Sequence, residues 1–412
     1  MAETQTTKKR GLYLLLALTV ILGASIYGMG LWQRQQEARL HNMKVQDLEV
    51  MAKNQPTSNS VIYALGLAYA RDSQYSKAIA QFLAVLSKDP ARADILNDLG
   101  VVYLLQGRYY ESLVVLEGAL RLKPDYPAVY ANMGRLHLAT KMPFTATREL
   151  EKADKLEPKN LGTLCDLGQA YQRTLNYKLA LGAYQKAMDI DGAAPQALIG
   201  AGQAYYAMTQ YDKAEEALKK ALVITPNDSN ALLALGRVQL ERAVTPADLT
   251  STQDTLEKAL RADPDEAESW YMLGRLRSRQ GKNTEALEMQ KRALRIAPNH
   301  TGALHQLERC LRAVGRDKDA DKVAKVHEER KLHDRREMLL EEQITRNTND
   351  WDARAELVQI YLESGKRSLA VLMCDHIQKE KPDHPLLPKL LQMINVPQTS
   401  PVPSTLLKGN AP

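Results

Sequence analysis

The sequence predicts an all-α fold: a superhelical solenoid of helix hairpins carried on an N-terminal transmembrane helix. Three observations predict it. A short Gly-centred motif recurs with a constant period, proline or glycine closes most periods, and one long apolar segment near the N-terminus is free of charge.

The repeat is decisive, because self-similarity at a fixed period means that one supersecondary unit is stacked many times. Leu65-Gly66-x-x-Tyr69 returns as Leu99-Gly100-x-x-Tyr103 and Leu167-Gly168-x-x-Tyr171, with Met133-Gly134-x-x-His137 and Ala201-Gly202-x-x-Tyr205 as variants, at a spacing of 34 residues. Twelve residues after each glycine stands a small residue, at Ala78, Ser112, Ala146, Ala180 and Ala214. Seven further on come Val85, Ala119, Ala153, Ala187 and Ala221. Pro90, Pro124, Pro158 and Pro226 close four units, and Gly192 closes the fourth. Glycine and alanine let two helix backbones approach closely, large residues at three- and four-residue spacing form an apolar stripe, and proline stops the second helix. One such hairpin cannot bury its own face, so neighbours must stack.

These motifs resemble the tetratricopeptide-repeat family, and the resemblance covers most of the chain. Units read at 59–92, 93–126, 127–160, 161–194, 195–228, 229–266, 267–300 and 301–334, with a further one at 351–384. The seventh is nearest the family pattern, with Trp270, Leu273, Gly274, Ala286, Ala293 and Pro298. The sixth has 38 residues, and its four extra residues around Thr245-Pro246-Ala247-Asp248 are expected to lengthen the turn between its helices. The eighth runs into a charged stretch, 317–346, that lacks Gly and Pro and is expected to form one solvated helix about 45 Å long. Its second half would partner the unit at 351–384, where Leu357, Tyr361, Gly365, Ala370 and Pro382 are in family register.

The ends differ from the array. Residues 1–10 form a basic tail, and 11–32 carry no charge, enough for about 33 Å of helix, which matches a bilayer's hydrocarbon thickness. Lys8, Lys9 and Arg10 precede this segment and Trp32 stands at its far interface, so we assign a single-pass signal anchor with the basic tail inside and the repeats extracytoplasmic, in a periplasm. A cleaved leader ending near Gly23-Ala24-Ser25 would leave about ten apolar residues unexplained. Residues 33–58 read as a helical linker that caps the first unit and continues the membrane helix. Residues 385–412, with Pro385, Pro388, Pro397, Pro401, Pro403 and Pro412, read as a disordered tail.

Composition narrows the chemistry. A net charge of +6 from 55 basic and 49 acidic residues is too mild for a nucleic-acid stripe. Cys165, Cys310 and Cys374 are odd in number and contain no CxxC, so neither a disulfide framework nor a zinc site follows. Gly281-Lys282 lacks the rest of a phosphate loop, His327 and His333 are six apart with no HExxH, and Asp189-Ile190-Asp191-Gly192 lacks the later ligands of a calcium loop. The reading is therefore no catalytic residue, no metal, no cofactor and no small-molecule substrate.

Resemblance to the family implies that positions 2, 5, 9 and 12 of each first helix face a concave groove. Position 9 runs Leu67, Val101, Arg135, Gln169, Gln203, Arg237, Arg275 and Arg309, turning from apolar to basic. Tyr63, Asn97 and Leu104 join the early end; Tyr206, Tyr271, His305 and Arg312 join the later one. Such a surface suits an extended peptide or an acidic segment. The family's clamp for a chaperone C-terminus is not matched: Asn132 holds its middle place, but Asn97, Val101, Gly162 and Asp166 flank it where Lys, Asn and Arg belong. The layout is also similar to the bacterial membrane-anchored regulator of lipopolysaccharide synthesis, without that protein's four-cysteine knuckle. The function implied is a non-enzymatic membrane-tethered scaffold for envelope assembly, secretion or polysaccharide machinery. The alternative is an accessory or regulatory subunit of an enzyme encoded elsewhere.

Overall fold

The structure, a computed structural model, describes residues 39–395 other than residue 41. The membrane segment assigned to 11–32 and the last part of the tail, 396–412, lie outside the described residues. Among the described residues no helix is long and apolar enough to cross a membrane, and the chain forms twenty helices and no strand. It is an all-α solenoid of helix hairpins, divided into two compact units at Pro124.

The first unit holds α1 (Val45–Asn54), α2 (Asn59–Arg71), α3 (Tyr75–Leu86), α4 (Ala93–Leu105) and α5 (Tyr109–Leu122). Helix α1 caps it by burying Leu48 in the cluster that contains Phe82, Ile95 and Leu99, and Glu49 accepts a 2.6 Å hydrogen bond from the Tyr69 hydroxyl. The linker is not one helix up to Pro56: a turn at 42–44 interrupts it, and Asn42 N–H closes that turn on the Arg39 carbonyl.

The second unit begins with the hairpins α6 (Pro127–Ala139) and α7 (Pro143–Leu156), α8 (Leu161–Arg173) and α9 (Tyr177–Ile190), and α10 (Pro195–Ala207) and α11 (Tyr211–Ile224). It continues with α12 (Ser229–Arg242) and α13 (Pro246–Ala262), α14 (Ala267–Arg279) and α15 (Asn283–Ile296), then α16 (Thr301–Ala313) and α17 (Asp317–Arg346). Helices α18 (Trp351–Glu363), α19 (Arg367–Glu380) and α20 (Leu387–Ile394) end it.

Two devices recur among the hairpins. The first is a left-handed residue in the turn: Ser73, Gly107, Lys141, Leu175, Thr209, Gly281, Gly315 and Gly365 all have φ between 58° and 77°. The second is the signature glycine, which makes room for one large side chain of the partner helix. A Cβ on Gly66 would sit 2.6 Å from Phe82, one on Gly100 2.6 Å from Leu116, and one on Gly202 2.6 Å from Leu218. Each of these partners is fully buried, and a buried side chain of this size is worth about 1.5–3 kcal/mol.

The sixth hairpin corrects the expectation of a longer turn. Three residues separate α12 from α13, as three separate α14 from α15. The extra residues lengthen the helices instead, because Thr245 and Asp248 form a capping box with Pro246 in the first turn and so start α13 at once.

The charged connector is also different from its expectation. Helix α17 is a single 30-residue helix, but its Arg330, Glu337 and Glu341 are buried at 4%, 7% and 3% exposure. Its first half pairs with α16; its second half runs past that hairpin and lies against α7, some 200 residues earlier in the chain. There the Phe144 N–H donates to Glu341 Oε1 at 3.2 Å, the Thr145 and Thr345 hydroxyls meet at 3.1 Å, and Lys366 pairs with Glu337. Burying charge costs too much unless it is partnered or neutralised: Glu337 is partnered by Lys366, and burial raises the Glu341 carboxyl to about 9. The start of the proline-rich tail is likewise ordered: Pro388 sits in the first turn of α20, which buries Leu387 and Leu390.

The stacking geometry is tested at Gly168, where an added Cβ would meet Tyr184 Cε1 at 2.5 Å. Gly168→Leu should cost about 3 kcal/mol or more by overpacking, whereas Lys178→Ala, at an exposed position, should cost under about 0.5 kcal/mol by urea denaturation.

The contact between α17–α19 and α6–α7 should respond to pH from both sides. Burial lowers His137 from 6.5 to about 3 and His376 to about 4, helped by Arg148 and Arg354 for the first and by Arg354 for the second. Their stabilising share is complete above pH 6.5 and is lost as pH falls towards 4. Burial raises Glu341 from 4.5 to about 9, so its share is complete below pH 4.5 and shrinks as pH rises towards 9. In thermal melts His137→Gln should flatten the acid limb, and Glu341→Gln should raise the melting temperature at pH 8 while leaving it unchanged at pH 4.

Candidate functional site

The expected groove residues fall on first helices, and the second unit brings several of them into one continuous row. Arg237 on α12 donates to Glu268 Oε1 on α14 at 2.5 Å, and its guanidinium lies 5.7 Å from the Tyr206 ring on α10. Arg275 on α14 donates back to Glu241 Oε1 on α12 at 2.7 Å and lies 5.9 Å from the ring of Tyr271. His300, just ahead of α16, contacts the other Glu268 oxygen through Nε2 at 2.7 Å and stacks 4.8 Å from Tyr271.

Local structure fixes each partner. His300 is the N-cap of α16, where its Nδ1 accepts from the Ala303 N–H at 3.0 Å. That bond leaves the proton on Nε2, aimed at Glu268. Burial pushes the Glu268 carboxyl up, but the His300 bond and the Arg237 charge outweigh it and hold it below its usual range. Burial also works against the Arg275 charge, and Glu241 more than restores it. The ion-paired side chains are 23–29% exposed, half-buried but reachable.

The rest of the expected set is distributed as follows. Arg135 is exposed and pairs with Asp166 of the next first helix at 2.6 Å and with Asn132 Oδ1 at 2.9 Å. Gln169 is exposed and Gln203 half-buried. In the first unit the Tyr63 hydroxyl donates to Asp98 at 2.5 Å, Asn97 is buried and donates to the same carboxylate, and Leu67 packs on the core. Arg312 reaches Glu308 and Asp321, and the His305 ring faces His327 of α17 at 5.2 Å. Arg309 is exposed and forms no ion pair among the described residues.

The basic ladder, expected to suit an extended or an acidic segment, is largely ion-paired within the protein. Arg135, Arg237 and Arg275 each have a carboxylate from a neighbouring first helix, so an acidic segment would have to displace one. Sequence reasoning missed Glu241, Glu268 and His300. Glu268 had a signal, because it is position 2 of the seventh unit and that position faces the groove by resemblance. His300 had none, since it belongs to the turn between units.

Tetratricopeptide-repeat family models match residues 63–127, 175–240 and 255–288. The chain is a tetratricopeptide-repeat protein. The fold is similar to a tetratricopeptide-repeat protein from Parabacteroides merdae, with a TM-score of 0.51 at 16% identity, covering 61% of this chain and 98% of that one. A second similar structure is the APC/C hetero-tetramer Cut9–Hcn1, at TM-score 0.48 and 13% identity, over 88% of this chain and 59% of that one. A third is Pseudomonas aeruginosa pilF, at 0.43 and 19%, over 53% and 97%. No curated protein matches the sequence. As a tetratricopeptide-repeat fold, the array supports protein–protein interaction in general.

Within this tetratricopeptide array the paired arginines carry stability as well as surface. Arg275→Glu leaves Glu241 facing a second carboxylate and should cost about 1.5–3 kcal/mol, the worth of a charged hydrogen bond. Arg309→Glu should cost under about 0.5 kcal/mol. Chemical denaturation of the two variants checks the contrast.

Proposed function

We propose that the protein is a non-enzymatic, membrane-tethered scaffold that holds an extended segment of a partner protein along the first helices of its second unit. The row from Tyr206 to His300 carries this reading. It alternates aromatic faces with half-buried ion pairs on three successive first helices, a pattern that grips a peptide by stacking and by hydrogen bonds to its backbone. Gln203, on the same helix as Tyr206, and Gln169, at the same register position on α8 before it, extend the row with neutral donors and acceptors suited to backbone amides. Because Arg237 and Arg275 are already paired, the segment is mainly neutral, with the exposed Arg309 a place that invites a carboxylate.

The uncharged stretch at 11–32 is the basis for the tether, and its flanking Lys8, Lys9 and Arg10 for an extracytoplasmic array serving envelope assembly, secretion or polysaccharide machinery. The native cysteines are poor probes of sidedness, since Cys165, Cys310 and Cys374 are all buried. An exposed Lys178→Cys is the suitable one, and it should react with impermeant maleimide in intact cells. The protein should stay with the membrane after an alkaline wash; a soluble product beginning near Ile26 would replace the anchor by a cleaved leader.

For the groove, Gln203→Ala combined with Tyr206→Ala should weaken the partner captured from detergent extract by about 2 kcal/mol, roughly thirtyfold in Kd. Lys178→Ala should leave capture intact. Equal capture by both variants removes the groove from the proposal, and a stoichiometric enzyme in the captured material turns the scaffold into an accessory subunit.

A further inference from the structure

The eighth repeat departs from the others at the two positions where the array keeps its residues small. At position 8, Gly66, Gly100, Gly134, Gly168, Gly202, Gly236 and Gly274 are followed in register by Glu308. At the second small position of the second helix, Ala119, Ala153, Ala187, Ala221, Ala259 and Ala293 are followed by His327. The hairpin then brings these two substitutions together. His305 lies one helical turn before Glu308 on α16, and His327 lies opposite on α17, on the same stripe as the buried Ala320, Val323 and Arg330. One nitrogen of His305, one carboxylate oxygen of Glu308 and one nitrogen of His327 all lie within 4.8 Å of one another.

Packing alone explains half of this. Where most other hairpins set glycine against a large residue sixteen positions later, the register of the eighth gives Glu308 and Ala324, so the large and small positions are exchanged in sequence. Volume does not explain why the residues gained are a carboxylate and an imidazole beside a second imidazole. An apolar exchange would fill the space without placing three metal-ligand groups on one another.

We propose that His305, Glu308 and His327 form a binding site for a borderline divalent transition metal, of which Zn²⁺ is the representative. Two imidazoles and one carboxylate suit such an ion and leave a fourth position for water or a partner's side chain; hard ions such as Mg²⁺ prefer all-oxygen sites. Ligand atoms about 2.1 Å from a tetrahedral centre stand about 3.4 Å apart, so the trio must close by little more than an ångström. The exposed His305 ring and the flexible Glu308 side chain have that freedom. Glu308 is held only loosely, by Arg312 at 3.3 Å, and Arg312 keeps Asp321 at 3.1 Å when Glu308 turns to the metal. His305 is also position 5 of its first helix, which places the site at the basic end of the expected groove. The site stands without the groove reading and does not depend on any partner.

The test is Zn²⁺ titration of the metal-stripped full chain in detergent by calorimetry, with the melting temperature followed alongside. His327→Ala restores the alanine of the other units, so it is expected to fold as the parent does without metal. It should weaken Zn²⁺ binding at least about tenfold, and the same loss is expected from His305→Ala and Glu308→Gln. His333→Ala, on the same helix but outside the trio, should bind as the parent does. The parent should take up one Zn²⁺, gain melting temperature with it, and ignore Mg²⁺. Absence of Zn²⁺ binding by the parent, or binding that survives His327→Ala and Glu308→Gln, overturns the proposal.

Discussion

The first seven hairpins of this protein depend on how closely their two helices approach, and that distance is set at one position. A glycine on the first helix faces a large residue on the second: Gly100 against Leu116, Gly134 against Leu150, Gly168 against Tyr184. A side chain at the glycine would occupy the space of its partner's ring or isopropyl group, so the two helices would part and the next hairpin would lose its seat. Solenoid stability is a sum of such units and the interfaces between them, so a local contact sets the geometry of the whole stack. The seventh unit shows the rule bending, with Gln290 as the large partner and its amide donating to the Tyr271 carbonyl at 3.1 Å. The eighth inverts it in register, with Glu308 at the glycine position and Ala324 at the large one.

The inversion coincides with a change in architecture. Up to α16 each second helix ends after 12 to 17 residues. Helix α17 does not stop, because Asp317–Arg346 holds neither proline nor glycine. Its far half therefore projects beyond the hairpin and needs another surface, which α7 and α18 provide. The result is a polar contact, with Glu341, Glu337 and Lys366 close together and the neutral His137 buried near Arg148, Arg354 and His376. Polar packing of this kind is specific but costly, and its free energy depends on protonation where apolar packing does not.

The same economy appears in the groove. An arginine on a half-buried helix face either keeps water or finds a carboxylate, and Arg135, Arg237 and Arg275 find theirs on neighbouring first helices. The pairs join consecutive repeats as well as presenting a surface, which sets a limit on what the groove can bind without cost.

The repeat, the helix count within it, the glycine positions and the proline stops were legible in the sequence, because each rests on contacts a few to about twenty residues apart that recur with one period. The absence of a stop in α17 was legible for the same reason. What lay beyond reach had no local period. The four extra residues of the sixth unit entered helix because Thr245 and Asp248 cap it, which a length difference alone does not reveal. The pairing of the groove arginines needed the distance between successive first helices, which only stacking sets. The contact of Glu341 with Phe144 and the meeting of His305, Glu308 and His327 were decided by tertiary structure: the first spans 197 residues, and the second depends on how two antiparallel helices align across a turn. Sequence period fixes the unit, and the places where units meet are fixed by packing in three dimensions.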